Sequence, residues 1–387
     1  MRRYITIILI NLIIIVIVLI PLEIAFGGWL KAPGLWDFAA YRNVHWRIGV
    51  DDKYIRSERI NYKRDYYGFR GSYKNIEDID ILTIGGSTTD ERFVNEGETW
   101  PDTLGKCLSA KGYDADIANA GISGQSTVGH ILNFSNWLNY IEGLHPKYIV
   151  AFVGINERGV GGAWQSKLED VRTFTEAHGK HDRLKTIRKW LRRNSAVYNL
   201  FKTIGGNLKA WRLGYAISPD FRIFDHEILS PKRLNGVEQV ELNYAQNRGE
   251  QLEIDSPRYK RRLDKVRAKI DSKLRDYETR INRLTKEIVN FGAIPIYVTN
   301  IRADYRIKEN VVAGKLHEYF ELEPYHEVTR RHCRNKNLVC VDISREMEVS
   351  PGDFFDIMHT TPLGSGKIGK AICNKISSQN NVHLEKY

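Results

Sequence analysis

The chain has 387 residues, 42% of them hydrophobic and 11% aromatic, which excludes a largely disordered polymer and leaves room for one large domain or two small ones around a buried core. Its formal net charge is +11. The run from Ile5 to Ile20 is almost wholly Ile, Leu and Val, broken by Thr6 and Asn11, and Pro21-Leu22 with Ile24-Ala25-Phe26 extend it to the length that crosses a bilayer. Arg2 and Arg3 precede it, so the positive-inside rule puts the N-terminus in the cytoplasm and everything after Gly28 outside, periplasmic or at the cell surface. Residues 1–28 are therefore expected to be a transmembrane anchor that meets lipid through residues 4–26. A cleavable signal peptide is the rival, but no A-x-A site follows the run, and either reading exports the rest.

In that compartment the positive charge speaks for anionic headgroups or acidic glycans and against nucleic acid. Cys107, Cys333, Cys340 and Cys373 could pair in three full connectivities there, with Cys333 to Cys340 favoured, or remain buried thiols.

Residues 29–75 are aromatic and charged without clear periodicity, and read as a linker and domain edge. Short apolar runs then alternate with helical patterns: Ile79 to Ile84, Ala115 to Ala120, Tyr148 to Val153, Ala293 to Thr299 and Leu338 to Ile343. That alternation predicts an α/β fold, a three-layer α/β/α arrangement on a five-stranded parallel sheet. Trp100-Pro101 opens one helix. The longest runs from Pro257 to Phe291, with an apolar stripe from Tyr259 to Ile288. The stripe suits packing on the sheet, at least in its C-terminal half, or else a coiled-coil arm. Residues 159–255 are too many for one connection and read as a basic, mostly helical insertion that divides the domain into 76–158 and 256–387. Its Lys and Arg side chains interleave with Trp190 and aliphatics, as in a membrane-facing segment, a cap over a site, or a packed hairpin.

In open α/β sheets, functional groups collect at the C-terminal ends of strands. Ser87 follows the first run in Gly85-Gly86-Ser87-Thr88-Thr89. Asn119-Ala120-Gly121 follows the second, Gly154-Ile155-Asn156 the third, and Asp356-Ile357-Met358-His359 the fifth. Serine, histidine and aspartate are the parts of a nucleophilic triad. The N–H groups of Ser87 and Gly121 and the side chain of Asn156 are candidate donors to an oxyanion. Arg158 could hold an anionic substrate group, or form a structural ion pair with Glu157 or Asp353. Trp100 and Phe355 could wall the acyl site, or belong to the core. No Gly-Lys-Ser/Thr follows the glycines, which excludes a P-loop, and Gly-x-Ser-x-Gly is absent. His178, His181, His317, His326 and His332 lack ligand partners at metal spacing, so neither a metal nor a cofactor is expected.

These four blocks resemble the SGNH (GDSL-like) hydrolase superfamily, over roughly residues 78–377 apart from the insertion. Two departures stand out: Gly-Gly-Ser-Thr replaces Gly-Asp-Ser-Leu, and Glu157 stands where aspartate is frequent. The resemblance implies Ser87, His359 and Asp356 as triad and Ser87, Gly121 and Asn156 as oxyanion hole. With the Gly-Phe-Arg-Gly segment and the anchor, it also implies a bacterial cell-envelope esterase for small acyl groups, such as O-acetyl, on a surface polysaccharide. The alternatives are an O-acyltransferase served by a membrane acyl-donor partner, a lipid esterase, and a catalytically silent glycan-binding scaffold.

Overall fold

The computed structural model describes residues 2–29, 34–35, 42–51, 59–160, 187–188, 190–191, 194–212, 224–233, 249–350, 352–379, 382 and 384. In chain order, helix α1 (Arg2–Phe26) leads to strands β1 (Val44–Asp51) and β2 (Arg59–Arg64). Then come β3 (Ile79–Gly85), the one-turn helix α2 (Ser87–Asp90), α3 (Trp100–Ala110), β4 (Asp116–Asn119), α4 (Thr127–Asn136) and β5 (Tyr148–Val153). Next are α5 (Ala196–Arg212), β6 (Phe224–Arg233), β7 (Glu250–Glu253) and α6 (Pro257–Asn290). The chain continues through β8 (Ile294–Thr299), β9 (Tyr305–Lys308), β10 (Val311–Gly314), α7 (Leu316–Lys336), β11 (Val339–Val341) and α8 (Pro362–Ser377).

The five predicted runs form one sheet in the order β11-β8-β5-β3-β4, parallel throughout. Buried on both faces, such strands need apolar residues at nearly every position, and β5 is buried along its whole length. Successive side chains divide between two cores. Leu82, Ile84, Ile149, Ala151 and Tyr297 face the cluster built with Tyr277, Ile281, Leu284 and Ile288 of α6. Ile81, Val150, Phe152, Ile296 and Val298 face the cluster of Trp100, Leu104 and Leu108 from α3 with Ile368, Ile372 and Ile376 from α8. This is the expected three-layer α/β/α fold. Helix α3 starts on a capping box between Thr99 and Asp102, with proline in its first turn.

Helix α6 serves two cores. Ile270 has non-helical backbone angles of φ −116° and ψ 19°, and the kink there separates the sheet-facing half from Tyr259 and Leu263. Those two pack with Tyr305, Val312, Leu316, Tyr319 and Phe320. The N-terminal half of the stripe is thus covered by this chain's own β9, β10 and α7, which leaves the coiled-coil alternative without an open seam.

The segment read as a linker carries structure that its irregular pattern hid. β1 pairs antiparallel with β2 and parallel with β6, and β7 joins β10 and β9 in a second small sheet. Two stretches of the expected insertion, β6 and β7, therefore contribute strands. Its residues 161–186, 213–223 and 234–248, with His178, His181 and most of the basic cluster, lie outside the described residues.

The N-terminal run is a single helix of 25 residues. Counted over the described residues alone, no helix is long and apolar enough to cross a membrane. The side chains of residues 8, 9, 12 and 13, inside the apolar run, lie outside the described set.

All four cysteines are paired. Cys333 bonds Cys340 across the turn from α7 to β11, and Cys107 of α3 bonds Cys373 of α8, 266 positions away. Because closing a longer loop removes more freedom from the unfolded chain, Cys107→Ser with Cys373→Ser is expected to cost about 5 kcal/mol. The short Cys333–Cys340 loop should cost about 2 kcal/mol. Urea titration of the two double variants beside the wild type measures the difference.

Candidate active site

Strand β3 ends at Gly85, and the chain turns through Gly86 into α2, whose first residue is Ser87. A Cβ on Gly86 would lie 2.6 Å from Asn156 Nδ2, so glycine is required for the loop after β5 to come this close to the Ser87 turn. His359 arrives from the loop after β11. Its Nε2 lies 2.8 Å from Ser87 Oγ, and its Nδ1 lies 2.6 Å from Asp356 Oδ2. The other Asp356 oxygen accepts the N–H groups of Met358 at 2.8 Å and His359 at 2.7 Å. Burial works against ionisation of Asp356, but the His359 ring and these two donors outweigh it and hold the carboxyl below its usual range. The Phe355 ring stacks on the His359 ring at 5.7 Å and 11°, fixing the imidazole plane from the side. Residues 272 positions apart thus share one hydrogen-bonded relay.

Asn156 donates one amide proton to the Gln125 carbonyl at 2.7 Å, which leaves its second proton for another acceptor. The N–H of Ser87 opens α2 and has no acceptor among the described residues.

Gly121 is placed differently from the expectation. Its N–H is given to Asn119 Oδ1 at 2.9 Å, and its carbonyl accepts from Arg64, so its peptide groups are occupied. Glycine is needed there because a Cβ would meet Asp90 N at 2.4 Å and the Thr89 carbonyl carbon at 2.6 Å. The close approach read from the sequence is real, but what approaches is α2 and not a substrate. Three residues on, the N–H of Gly124 has no acceptor among the described residues, and the space around its α-carbon is open. Its neighbour Ser123 lines the cleft at Ser87.

Arg158 turns away from the cleft as well. It pairs with Glu318 at 3.0 Å and Glu321 at 2.5 Å on α7, which is the structural alternative with different partners. The cation that does line the cleft is Arg92, held 3.7 Å from Asp90 and over the Trp46 ring at 5.4 Å. Trp100 is wholly buried and donates its indole N–H to the Thr88 carbonyl at 3.1 Å. It belongs to the core, whereas Phe355 does line the cleft.

Sequence reasoning assigned nothing to the fourth strand. Asn300, directly after β8, accepts the Ile155 N–H at 2.9 Å and donates to Thr88 Oγ1 at 3.3 Å. It joins the Asn156 loop to the Ser87 turn.

Beneath Ser87 lie buried charges. Asp90 accepts from Arg64 at 2.7 Å and from Tyr62 at 2.8 Å. Burial opposes its ionisation, but Arg64, Arg70 and Arg92 prevail and keep the carboxyl below its normal range. Glu157 accepts from Arg280 at 2.9 Å and from the N–H and hydroxyl of Thr127 at 2.8 Å each. It thereby caps α4 and anchors the loop that carries Asn156. Among the described residues no group of His, Cys, Asp and Glu is arranged to hold a metal ion.

No family model matches the chain, and no curated protein does. It is similar to several solved structures. One is a protein assigned to the G-D-S-L family of lipolytic proteins from Desulfitobacterium hafniense, at 11% identity and a TM-score of 0.36, covering 76% of this chain and 98% of that one. Another is an acetyl xylan esterase from Geobacillus stearothermophilus, at 13% identity and a TM-score of 0.38, covering 82% and 99%. A third is a GDSL-like lipase from Bacteroides thetaiotaomicron, at 11% identity and a TM-score of 0.32, covering 79% and 90%. Likeness at this level carries no argument about substrate. What stands by itself is the parallel sheet order β11-β8-β5-β3-β4 and the hydrogen-bonded set of Ser87, His359 and Asp356 at its edge.

Glu91 links the Ser87 turn to the loop that carries His359. It accepts from Thr360 at 2.6 Å, Ser365 at 2.9 Å and the Trp100 N–H at 2.7 Å. Burial pushes its carboxyl up to about 7 against those hydrogen bonds. Between the ordinary value of 4.5 and about 7, the folded chain holds a proton that the unfolded chain has released, so stability falls as pH rises through that window. Glu91→Gln is expected to flatten the fall, which amounts to about 3 kcal/mol. Urea midpoints of both chains at pH 5, 6, 7 and 8 check it.

Proposed function

We propose that this chain is an extracytoplasmic serine esterase that removes small acyl groups, such as acetyl, from an envelope glycan. The observation that carries the reading is the unbroken relay from Ser87 Oγ through the His359 ring to Asp356, at 2.8 and 2.6 Å. In the reaction, Ser87 Oγ attacks the ester carbonyl while His359 Nε2 takes its proton, and Asp356 stabilises the imidazolium. The oxyanion is met by the Ser87 N–H and the remaining proton of Asn156. His359 gives that proton to the sugar oxygen as its bond to the acyl carbon breaks, and a water activated by the same imidazole then releases the acid from Ser87.

The dimensions of the cleft support a short acyl group. Its volume is about 230 Å³, with Phe93, Val94 and Phe355 as apolar wall beside Ser87, below the usual range for drug-sized ligands. Arg92 at the same cleft, against Trp46, suits an anionic or hydroxyl-rich sugar.

The compartment is part of the proposal. Helix α1, at 25 residues, is about 37 Å long, enough for a hydrocarbon core of about 30 Å, and Arg2 and Arg3 keep its start inside. Two disulfides belong to an oxidising environment.

Fluorophosphonate labelling of the wild type followed by peptide mapping should mark Ser87, and Ser87→Ala should lower acetyl-ester turnover by at least about 10⁴-fold. Asn156→Ala is expected to cost about a hundredfold in kcat. Release of free acetate from acetylated glycan indicates hydrolysis, and its appearance on an added glycan acceptor indicates transfer. Unlabelled, inactive wild-type protein would leave the silent scaffold as the answer.

Asn300→Leu tests positioning. With the tie between Thr88 and Ile155 gone, kcat is expected to fall about tenfold or more while KM stays within about twofold. Equal kcat in wild type and variant would show the tie to be unimportant for turnover.

A further inference from the structure

Away from the cleft, one carboxylate joins the apolar N-terminal helix to the described part of the basic insertion. Glu23, near the end of α1, accepts from Ser195 Oγ at 2.5 Å, from the N–H groups of Ala196 at 2.9 Å and Val197 at 3.2 Å, and from the Trp29 indole at 2.9 Å. Ala196 and Val197 begin α5, so Glu23 caps that helix and meets the positive end of its dipole. The Gly28 N–H bonds the Asn194 carbonyl at 2.8 Å, and the Trp29 and Trp190 rings meet edge to face at 5.1 Å. The exit of α1 and the start of α5 form a single junction. A carboxylate near the end of an apolar helix is costly unless it is paired, and here the start of α5 supplies most of its donors.

Helix α5 presents Leu200, Phe201, Ile204 and Leu208 to the outside, 47 to 66% exposed. Their spacing puts them on one stripe, and large side chains so arranged mark an interaction surface. Arg188, Lys202 and Arg212 are exposed around it. We infer that α5 lies in the outer face of a lipid bilayer bearing anionic headgroups, with its stripe among the upper acyl segments and Glu23 setting its depth. The inference rests on the reading of α1 as a membrane anchor. Lipid is favoured over a second copy of the chain because the stripe begins at the junction where α1 ends. α1 itself leaves Ile14, Ile17, Val18 and Ile20 exposed. The basic residues and the paired tryptophans fit the headgroup region.

Every described cysteine is paired, so one introduced cysteine can be labelled alone. The full chain, labelled with an environment-sensitive fluorophore at Phe201→Cys, Ile204→Cys or Lys202→Cys, is reconstituted in vesicles of phosphatidylethanolamine and phosphatidylglycerol. Lipids bearing a nitroxide at carbon 5 are expected to quench positions 201 and 204 at least about twofold more than position 202. Adding Glu23→Leu should bring position 201 down to the level of 202, while the chain still floats with vesicles after alkaline carbonate. Equal quenching by aqueous iodide at all three positions, or cross-linking between copies through position 201, overturns the inference. Release by carbonate sinks the anchor reading instead, and the nitroxide result then still decides whether α5 touches lipid.

Discussion

A helix of a single turn cannot satisfy its own backbone, and Ser87 sits on one. α2 runs only from Ser87 to Asp90, so its carbonyls depend on donors from elsewhere. The Ser87 carbonyl accepts from the Glu91 N–H at 2.9 Å, and Thr88 accepts from the Trp100 indole at 3.1 Å. Thr89 accepts from the Asn119 amide at 2.7 Å, and Asp90 from the Arg70 guanidinium. Arg70 also reaches the carbonyls of Glu91 at 2.9 Å and Val94 at 3.0 Å. Each donor comes from outside α2, and three of them are side chains of distant elements. The position of Ser87 Oγ is therefore a property of the whole upper edge of the sheet.

That dependence explains what was legible in the sequence. The parallel sheet was, because strands buried on both faces must be continuous apolar runs, and each of the five lies within two residues of its predicted ends. Ser87, Asn156, Asp356 and His359 were legible too, since strand ends are where such groups collect. Gly121 was read for the right property and the wrong neighbour: a glycine allows close approach, but only coordinates say that α2 makes it. Arg158 found partners 160 and 163 positions away on α7, and no local pattern announces a partner so remote. Asn300 was overlooked because a single asparagine after a strand is ordinary. β1 was overlooked because its alternation is interrupted, and its pairing with β6 joins Val44 to the remote Phe224.

Two buried ion pairs hold the strand-end loops in place. Arg64 with Asp90 lies under the nucleophile turn and Arg280 with Glu157 under the Asn156 loop, and all four side chains are at most 2% exposed. Such pairs add little net stability, because desolvation consumes most of the attraction, yet removing one partner is strongly destabilising. They act here as geometric constraints. Each guanidinium spends several donors on fixed acceptors, and a loop that shifted would leave a charge unmatched. Glu157, which departs from the aspartate frequent in the third block, has one more methylene with which to reach both Arg280 and the first turn of α4.

The same economy recurs at the N-terminus, where Glu23 is matched by the start of α5 and by Trp29. In both places a carboxylate is met by helix-end N–H groups and by hydroxyl, indole or guanidinium donors. In both it joins segments more than a hundred positions apart, or about thirty in the case of Glu157 and Thr127. Apolar packing would hold such segments near each other without fixing them, because dispersion contacts are non-directional. Hydrogen-bonded carboxylates are directional, so they fix where the segments meet as well as that they meet. For the cleft, that difference separates a serine close to a histidine from a serine aligned with one.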